Sequence, residues 1–186
     1  MKSSEILMLV ATFVQAAALL WTIHVMEDTS QRQLRAYADQ SSTMLITPKS
    51  LTKKVLGYKN RPNININFQN YGQTPAYNLT SFANIKILNT EDENELSVSK
   101  LNGSSTSLGA GKNIFKTIWF DRELTKQEIS DINTGKSVIY FYGKIEYTDV
   151  FKEKHSSNFR LKYVGVYPPT IEPATLTFCD KGNETN

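Results

Sequence analysis

The chain has 186 residues, a formal net charge of +3 and a sequence pI near 8.8. Its hydrophobic content of 40% and charged content of 21% are typical of a globular chain and exclude an intrinsically disordered one. The basic residues are scattered, whereas a nucleic-acid-binding domain concentrates them on one face, so we expect no nucleic-acid partner. Beyond an apolar N-terminal stretch, about 150 residues remain, which is the size of one domain.

An uninterrupted apolar segment covers residues 6–26 and contains no Asp, Glu, Lys or Arg. As a helix at about 1.5 Å per residue it measures roughly 31 Å, close to the ~30 Å hydrocarbon thickness of a bilayer. A cleaved signal peptide is the alternative, but the apolar core of a typical signal peptide is shorter, roughly 7–15 residues. We therefore predict an uncleaved, single-pass transmembrane helix over residues 6–26, preceded by a short flank over residues 1–5.

The residues around the end of this segment predict contacts with the membrane surface. Trp21 lies where interfacial aromatic residues are common. Arg32 and Arg35 are three positions apart on one helical face and would interact with anionic headgroups at about 1 kcal/mol each. A juxtamembrane helix or a solvated linker is expected over residues 27–40. The arginines after the span favour a cytoplasmic domain, and the single cysteine, Cys179, agrees with that side because extracytoplasmic domains often carry disulfides.

Residues 41–167 carry the patterns of β-strands. The sequence NININF at residues 63–68 alternates strictly, which predicts a strand with one buried face. Residues 137–142 are apolar on both faces, as in a central strand, and the following Gly143 predicts a bulge or a close backbone approach. The other predicted strands lie at residues 37–47, 77–87, 96–98, 114–120, 144–148, 158–163 and 175–178. We therefore predict a β-sandwich over residues 41–167.

One short helix and one hairpin are predicted inside the sandwich. Thr125 followed by Glu128 forms a capping box, which marks the start of a helix. In the hairpin, a loop centred on Glu153 would place Tyr147 opposite Phe159. After the hairpin, a C-terminal tail is expected over residues 168–186, with residues 180–186 frayed.

Few residues are candidates for catalysis or metal binding. His24 belongs to the membrane segment and His155 to the predicted hairpin loop, so a shared metal site is not expected. The acidic residues 91–95 lack the spacing and the Gly of an EF-hand. The glycine-rich residues 106–112 lack the first Gly and the final Ser or Thr of a P-loop. We expect no cofactor, no metal and no catalytic residues, with a small enzyme using Asp149 and His155 as the least favoured alternative.

Short segments along the chain carry a family resemblance: RQLRAY at residues 32–37, NYGQTPAYN at 70–78, YTDVF at 147–151 and CDKGN at 179–183. They resemble small, uncharacterised bacterial membrane proteins with a single anchor, an RQLRAY segment and an NxGxTPAxN turn. The same turn and LGAG at residues 108–111 also resemble immunoglobulin-like domains of bacterial surface and accessory proteins. The resemblance implies a bacterial inner-membrane protein with an immunoglobulin-like domain, and it brings no catalytic residues.

The predicted fold is mainly β: a transmembrane helix followed by an immunoglobulin-like β-sandwich with one short helix. The predicted function is a membrane-anchored, non-enzymatic binding or assembly module, whose expected partners are the lipid bilayer and a protein of unknown identity. The alternative is an accessory subunit of a larger membrane complex, in which Gln15 and Ala16–Ala18 pack against other helices. Because rigid sandwiches present function on loops, the candidate interaction surface is formed by loop residues. These are Tyr71, Gln73, Pro75, Tyr77, Asp149, Phe151 and His155.

Overall fold

The computed structural model describes residues 3–47, 61–89, 96–98, 105–171 and 173–186. A long N-terminal helix leads into two antiparallel sheets that pack face to face as a β-sandwich. The elements are α1 (Ser3–Leu34), β1 (Ala38–Ile46), β2 (Asn63–Asn70), β3 (Ala76–Asn89), β4 (Thr106–Leu108), β5 (Asn113–Trp119), α2 (Lys126–Asn133), β6 (Ser137–Thr148), β7 (Lys154–Tyr163), β8 (Ala174–Thr175) and β9 (Thr177–Phe178). The predicted mainly β fold, with an apolar N-terminal helix and one short helix, is confirmed.

Helix α1 is 32 residues long, and none of its residues is buried. It is long and apolar enough to cross a membrane, although a signal sequence near an N-terminus has the same properties. The helix continues about two turns beyond the predicted span, to Leu34. Strand β1 begins at Ala38, inside the segment predicted as a juxtamembrane helix or linker, so only three residues connect the helix to the sandwich.

The two sheets have the orders β5-β2-β1-β8 and β4-β3-β6-β7-β9. Ile64, Ile66 and Phe68 of β2 are fully buried in the main core, as their alternation predicts, but the strand does not have only one buried face, because Asn63 and Asn67 on the opposite face are buried too. Strand β6 is buried on both faces, which confirms its predicted central position. The outer face of β6 contributes Val138, Tyr140 and Tyr142 to a second, smaller cluster. Leu96 and Cys179 complete this cluster.

The β6–β7 hairpin does not have the predicted register. Tyr147 lies opposite His155, four positions earlier on β7 than predicted. The cause is a tight turn in which Oδ1 of Asp149 accepts hydrogen bonds from the backbone N–H groups of Phe151 and Glu153, both at 2.9 Å. Because the shift is an even number of residues, the same side chains still face the core.

The C-terminal segment is also more ordered than predicted. The single strand expected at residues 175–178 is two short strands, since β8 pairs with β1 and β9 pairs with β7, so the chain crosses from one sheet to the other. Residues 180–186 are not frayed: the N–H of Asn158 donates to the carbonyl of Glu184, and the N–H of Asn186 donates to the carbonyl of Ser156, both at 2.8 Å. This segment therefore satisfies backbone groups along the edge of β7.

Residues 96–98 do not form the predicted edge strand. Leu96 is instead buried in the cluster on the outer face of β6, and the edge strand next to β3 is β4. The acidic residues 91–95 lie outside the described part of the chain.

Two local predictions are confirmed by side-chain geometry. The capping box is complete, with Thr125 and Glu128 exchanging hydrogen bonds at the start of α2. Hydrogen bonds from Arg122 lower the pKa of Glu128 to about 2. Gly143 is a site of close backbone approach, because a Cβ atom there would lie 2.5 Å from the ring of Phe159 and would overlap the carbonyl of Phe82.

Candidate functional site

Most of the predicted site residues lie at the end of the sandwich that adjoins α1. Strand β1 starts there, and the turn between β2 and β3 contacts it, since the N–H of Tyr71 donates to the carbonyl of Tyr37 at 2.8 Å. The β6–β7 turn is at the same end, because Thr148 pairs with Tyr77. The end of the sandwich that adjoins α1 is named the proximal end. The opposite, distal end carries α2 and residues 164–171.

Asn70 joins the chain that leaves α1 to both sheets. It is fully buried at the end of β2. Its Oδ1 accepts hydrogen bonds from the N–H groups of Tyr37 at 3.1 Å and Gly72 at 2.9 Å. Its Nδ2 donates to the carbonyls of Thr74 at 2.8 Å and Leu108 at 3.1 Å. The amide therefore uses both of its donors and both lone pairs of its acceptor.

Gly72 brings the β2–β3 turn against the backbone that follows α1. A Cβ atom at this position would lie 2.6 Å from the nitrogen of Tyr37 and 2.7 Å from Cα of Ala36. Only glycine allows this approach, because the atoms it meets are backbone atoms. Asn70, Gly72 and residues 35–37 are named the junction clamp. The turn is thus not a free loop tip, since its backbone holds the helix exit.

A pocket of about 280 Å³ opens beside the clamp at the proximal end. It is named the junction pocket, and its lining includes Arg35, Tyr37, Asp39, Tyr71, Tyr147, His155, Ser156 and Ser157. The guanidinium of Arg35 lies 4.6 Å from the centroid of the Tyr37 ring. Its Nε is buried without a hydrogen-bond acceptor among the described residues. The pocket therefore combines a cation, a carboxylate and aromatic rings.

Asp149 and His155 form a buried pair. Nε2 of His155 and Oδ2 of Asp149 are 2.8 Å apart, and the two residues are only 8% and 3% exposed. The other carboxylate oxygen is occupied by the backbone of the hairpin turn. Both residues were predicted to belong to an exposed interaction surface. That placement is wrong for their side chains, because closing the turn buries the carboxylate and its histidine partner.

The hydroxyl groups of Ser157 and Tyr147, two neighbours of His155, are hydrogen-bonded to other groups. The Ser157 hydroxyl donates to Asp39 at 2.7 Å, so it is not hydrogen-bonded to the imidazole as the nucleophile of a Ser-His-Asp triad would be. The Tyr147 hydroxyl donates to the carbonyl of Ala36 at 3.3 Å, and burial raises the pKa of Tyr147. These contacts give the Asp149–His155 pair a clear role in closing the hairpin.

The remaining predicted surface residues are accessible to different degrees. Tyr71 is 58% exposed, Gln73 and Tyr77 are also exposed, and Pro75 and Phe151 are half-buried. Val150, which the sequence reasoning missed, is exposed at the tip of the hairpin turn. The sequence pattern that could have identified Val150 is an apolar residue directly after Asp149, the aspartate that closes the turn.

The two arginines after the predicted span have different surroundings, although the N–H of Arg35 still donates to the carbonyl of Gln31 at 3.0 Å, as in a helix. Arg32 is on α1, where its Nε lies 3.0 Å from Oδ2 of Asp28. Arg35 lies beyond the last helical residue and lines the junction pocket, because the chain leaves the helix at Leu34. Trp21 is exposed on α1, in the predicted membrane span.

Residues that could bind a metal do not come together in the described ranges. Within these ranges no three His, Cys, Asp or Glu side chains are grouped as metal ligands. The glycine-rich stretch is a turn between β4 and β5, where the N–H of Gly111 donates to the carbonyl of Asn70 at 3.0 Å. Cys179 is buried and is not part of a disulfide.

The fold and the site together describe a β-sandwich clamped to a long apolar helix. The chain belongs to a family described as a domain of unknown function (DUF8453), which matches residues 6–164. The match includes most of α1, the whole junction clamp and the strands up to β7. No curated protein and no solved structure matches the chain.

Proposed function

We propose that this protein is a membrane-anchored, non-enzymatic module that holds a β-sandwich in a fixed orientation at a membrane and binds a protein partner. The junction clamp carries the proposal. A flexible linker would be sufficient to keep a domain near a membrane. Here the connection is three residues long, is hydrogen-bonded to the buried Asn70 and is packed against Gly72. A rigid connection is useful when the domain must meet its partner in one orientation.

The assignment of α1 as an anchor rather than a signal peptide is part of this proposal. None of its side chains is buried against the described part of the sandwich, so a bilayer would cover an apolar surface that water would otherwise contact. Cleavage within α1 would also remove much of the element that the clamp holds. We place the anchor in the bacterial inner membrane, on the family resemblance. The domain is placed on the cytoplasmic side because Arg32 and Arg35 follow the span.

Labelling with a membrane-impermeant maleimide tests the orientation. Native Cys179 is unsuitable because it is only 5% exposed, whereas Ile171 at the distal end is 80% exposed. We expect the Ile171→Cys variant, in a Cys179→Ser background, to be labelled in lysed cells and not in intact spheroplasts. Labelling in intact spheroplasts would place the sandwich outside and contradict the proposed side.

We also propose that the sandwich is immunoglobulin-like, and its strand order supports this. The neighbours β1-β2-β5 in the first sheet correspond to the A-B-E order of that fold. The neighbours β7-β6-β3-β4 in the second sheet correspond to G-F-C with an added C′ strand. In that fold loops at one end carry binding residues, which fits the exposed Tyr71, Gln73 and Tyr77 at the proximal end.

An accessory subunit of a larger membrane complex is the second candidate, and one observation favours it. The hydroxyls of Thr12, Thr22 and Thr29 each donate to the carbonyl four residues earlier on α1. Gln15, which is exposed on the same helix next to Ala16–Ala18, would hydrogen-bond to another helix in this candidate. In this candidate the partner is recognised within the membrane rather than by the sandwich.

Affinity purification from detergent-solubilised membranes distinguishes the two candidates. We expect a stoichiometric protein partner to be recovered with the wild-type chain. A Tyr71→Ala/Tyr77→Ala variant should reduce recovery at least tenfold, since exposed interface tyrosines are frequent hot spots. Val164→Ala, an exposed change at the distal end, is the matched control and should leave recovery unchanged.

The outcome is decided by which variant releases the partner. Loss of the partner in Ala17→Leu, with retention in the tyrosine variant, would favour the accessory subunit. Repeated recovery of the wild-type chain alone would contradict both candidates.

A further inference from the structure

The junction pocket has the charges of a ligand site, and partner binding by the exposed tyrosines does not use them. We propose that it binds a zwitterionic group in which a phosphate is joined to an ammonium, such as phosphoethanolamine. Arg35 would bind the phosphate and Asp39 the ammonium. The group can belong to a lipid headgroup or to a small soluble molecule.

Arg35 has a hydrogen-bond donor that a ligand could satisfy. Its Nε–H group is removed from water and has no acceptor among the described residues, a state that buried polar groups rarely keep. The ring of Tyr37 supports the face of the guanidinium, which leaves its hydrogen-bonding edge for another group. A phosphate oxygen in the pocket would supply the missing acceptor, in the geometry that guanidinium groups favour.

Asp39 and the tyrosines of the pocket could bind the ammonium group. The Ser157 hydroxyl holds the Asp39 carboxylate at 2.7 Å, and within the described ranges this carboxylate forms no ion pair. Tyr37, Tyr71 and Tyr147 also line the pocket, and aromatic rings attract ammonium groups. A simple anion would be repelled by Asp39, whereas a zwitterion satisfies both charges. The volume of about 280 Å³ is close to the lower range of ligand pockets, which suits a small group.

The position of the pocket is compatible with a lipid source. The helical residues after the predicted span, 27–34, extend about 12 Å. The headgroup layer extends about 5–7 Å beyond the hydrocarbon. The pocket therefore lies roughly 5 Å above the headgroups of an upright anchor, and the common ~20° tilt shortens this distance by less than about 1 Å, so a lipid reaches the pocket by moving outward by about 5 Å. Only this lipid source rests on the proposed membrane anchor, because a soluble ligand would reach the pocket in either case.

The test uses the full chain in a maltoside detergent, which contains no phosphate. Phosphoethanolamine is titrated and its binding is followed by calorimetry and by ³¹P line broadening. We expect Arg35→Gln to weaken binding at least tenfold and the matched Arg32→Gln, which lies outside the pocket, to change it less than twofold. Asp39→Asn should weaken phosphoethanolamine binding while leaving the weaker binding of inorganic phosphate unchanged or stronger.

A second measurement shows whether the bound phosphoethanolamine group belongs to a lipid or to a soluble molecule. Native mass spectrometry of the chain released from nanodiscs should detect Arg35-dependent adducts of phosphatidylethanolamine in preference to phosphatidylglycerol if the ligand is a lipid. Soluble binding without such adducts would support the site with a soluble ligand. Circular dichroism melting of Arg35→Gln, and partial binding by Arg35→Lys, separate loss of the site from loss of the fold.

The proposal is overturned if neither form of phosphoethanolamine binds, if Arg35→Gln binds as well as Arg32→Gln, or if phosphatidylglycerol is preferred. These failures would leave the proposed partner-binding function intact, because that function is tested by recovery of a protein partner with the wild-type chain and through Tyr77, which does not line the pocket. Loss of the protein partner with intact phosphoethanolamine binding would contradict the proposed partner-binding function and leave the ligand site standing.

Discussion

Asn70→Ala is expected to lower the free energy of unfolding by about 3–5 kcal/mol, a large fraction of the stability of an ordinary domain. The variant removes four side-chain hydrogen bonds at a fully buried position. It leaves the N–H groups of Tyr37 and Gly72 and the carbonyls of Thr74 and Leu108 without their partner. Chemical denaturation of the full chain in detergent, followed by circular dichroism, measures the loss.

Asn65→Ala is the matched control for this prediction. Asn65 is on the same strand, β2, but its Oδ1 accepts one exposed hydrogen bond, from Thr117 at 2.7 Å. We expect a loss of less than about 1 kcal/mol. Equal losses in the two variants would show that the buried amide does not hold the junction. Hydrogen exchange should also accelerate at the amides of Tyr37 and Gly72 in the Asn70 variant, since both lose their acceptor.

Gly143→Ala is expected to cost about 3 kcal/mol, at the upper end of the range for overpacking a core. The added methyl group would lie 2.5 Å from the Phe159 ring and 2.9 Å from Cα of Ala83, and it would overlap the carbonyl of Phe82. Two of these neighbours are backbone atoms of β3, which cannot move without displacing the centre of the second sheet. Thermal unfolding monitored by near-ultraviolet circular dichroism measures the change in stability.

Gly109→Ala provides the comparison, because a methyl group there meets only the side chain of Lys112, at 3.4 Å. We expect a change within about 0.5 kcal/mol. If Gly143→Ala were as stable as Gly109→Ala, the close approach between β3 and β6 would have to be relaxed in solution.

The features that the sequence predicted correctly depend on residues that are close together in the chain. Alternation over residues 63–68 identifies the face of β2 that lies in the main core, and the apolar run 137–142 identifies a strand buried on both faces. The pair Thr125 and Glu128 is a helix start at a fixed spacing. In each case the interaction that produces the structure spans a few residues, so a short pattern contains it.

The features that were missed depend on contacts between distant residues. Asn70 resembles an ordinary turn asparagine, but its partners include Tyr37, 33 residues earlier, and Leu108, 38 residues later. The hairpin register was wrong because the alternation on β6 and β7 fits every even shift, and only the hydrogen bonds of Asp149 select one of them. The junction pocket likewise collects residues from both sheets, which no local pattern links.

Residues 174–178 reach the sandwich late during synthesis, although they join its two sheets. Translation adds roughly 5–20 residues per second, so the stretch from Leu34 to Ala174 takes on the order of ten seconds to make. During this interval α1 and β1 are already complete, and the outer edge of β1 waits for β8, whereas β7 ends at Tyr163 and waits only briefly for β9. Exposed edges of this kind favour wrong strand pairing between nascent chains. Slow translation or a shortage of chaperones should therefore harm the yield of this protein more than its final stability would indicate.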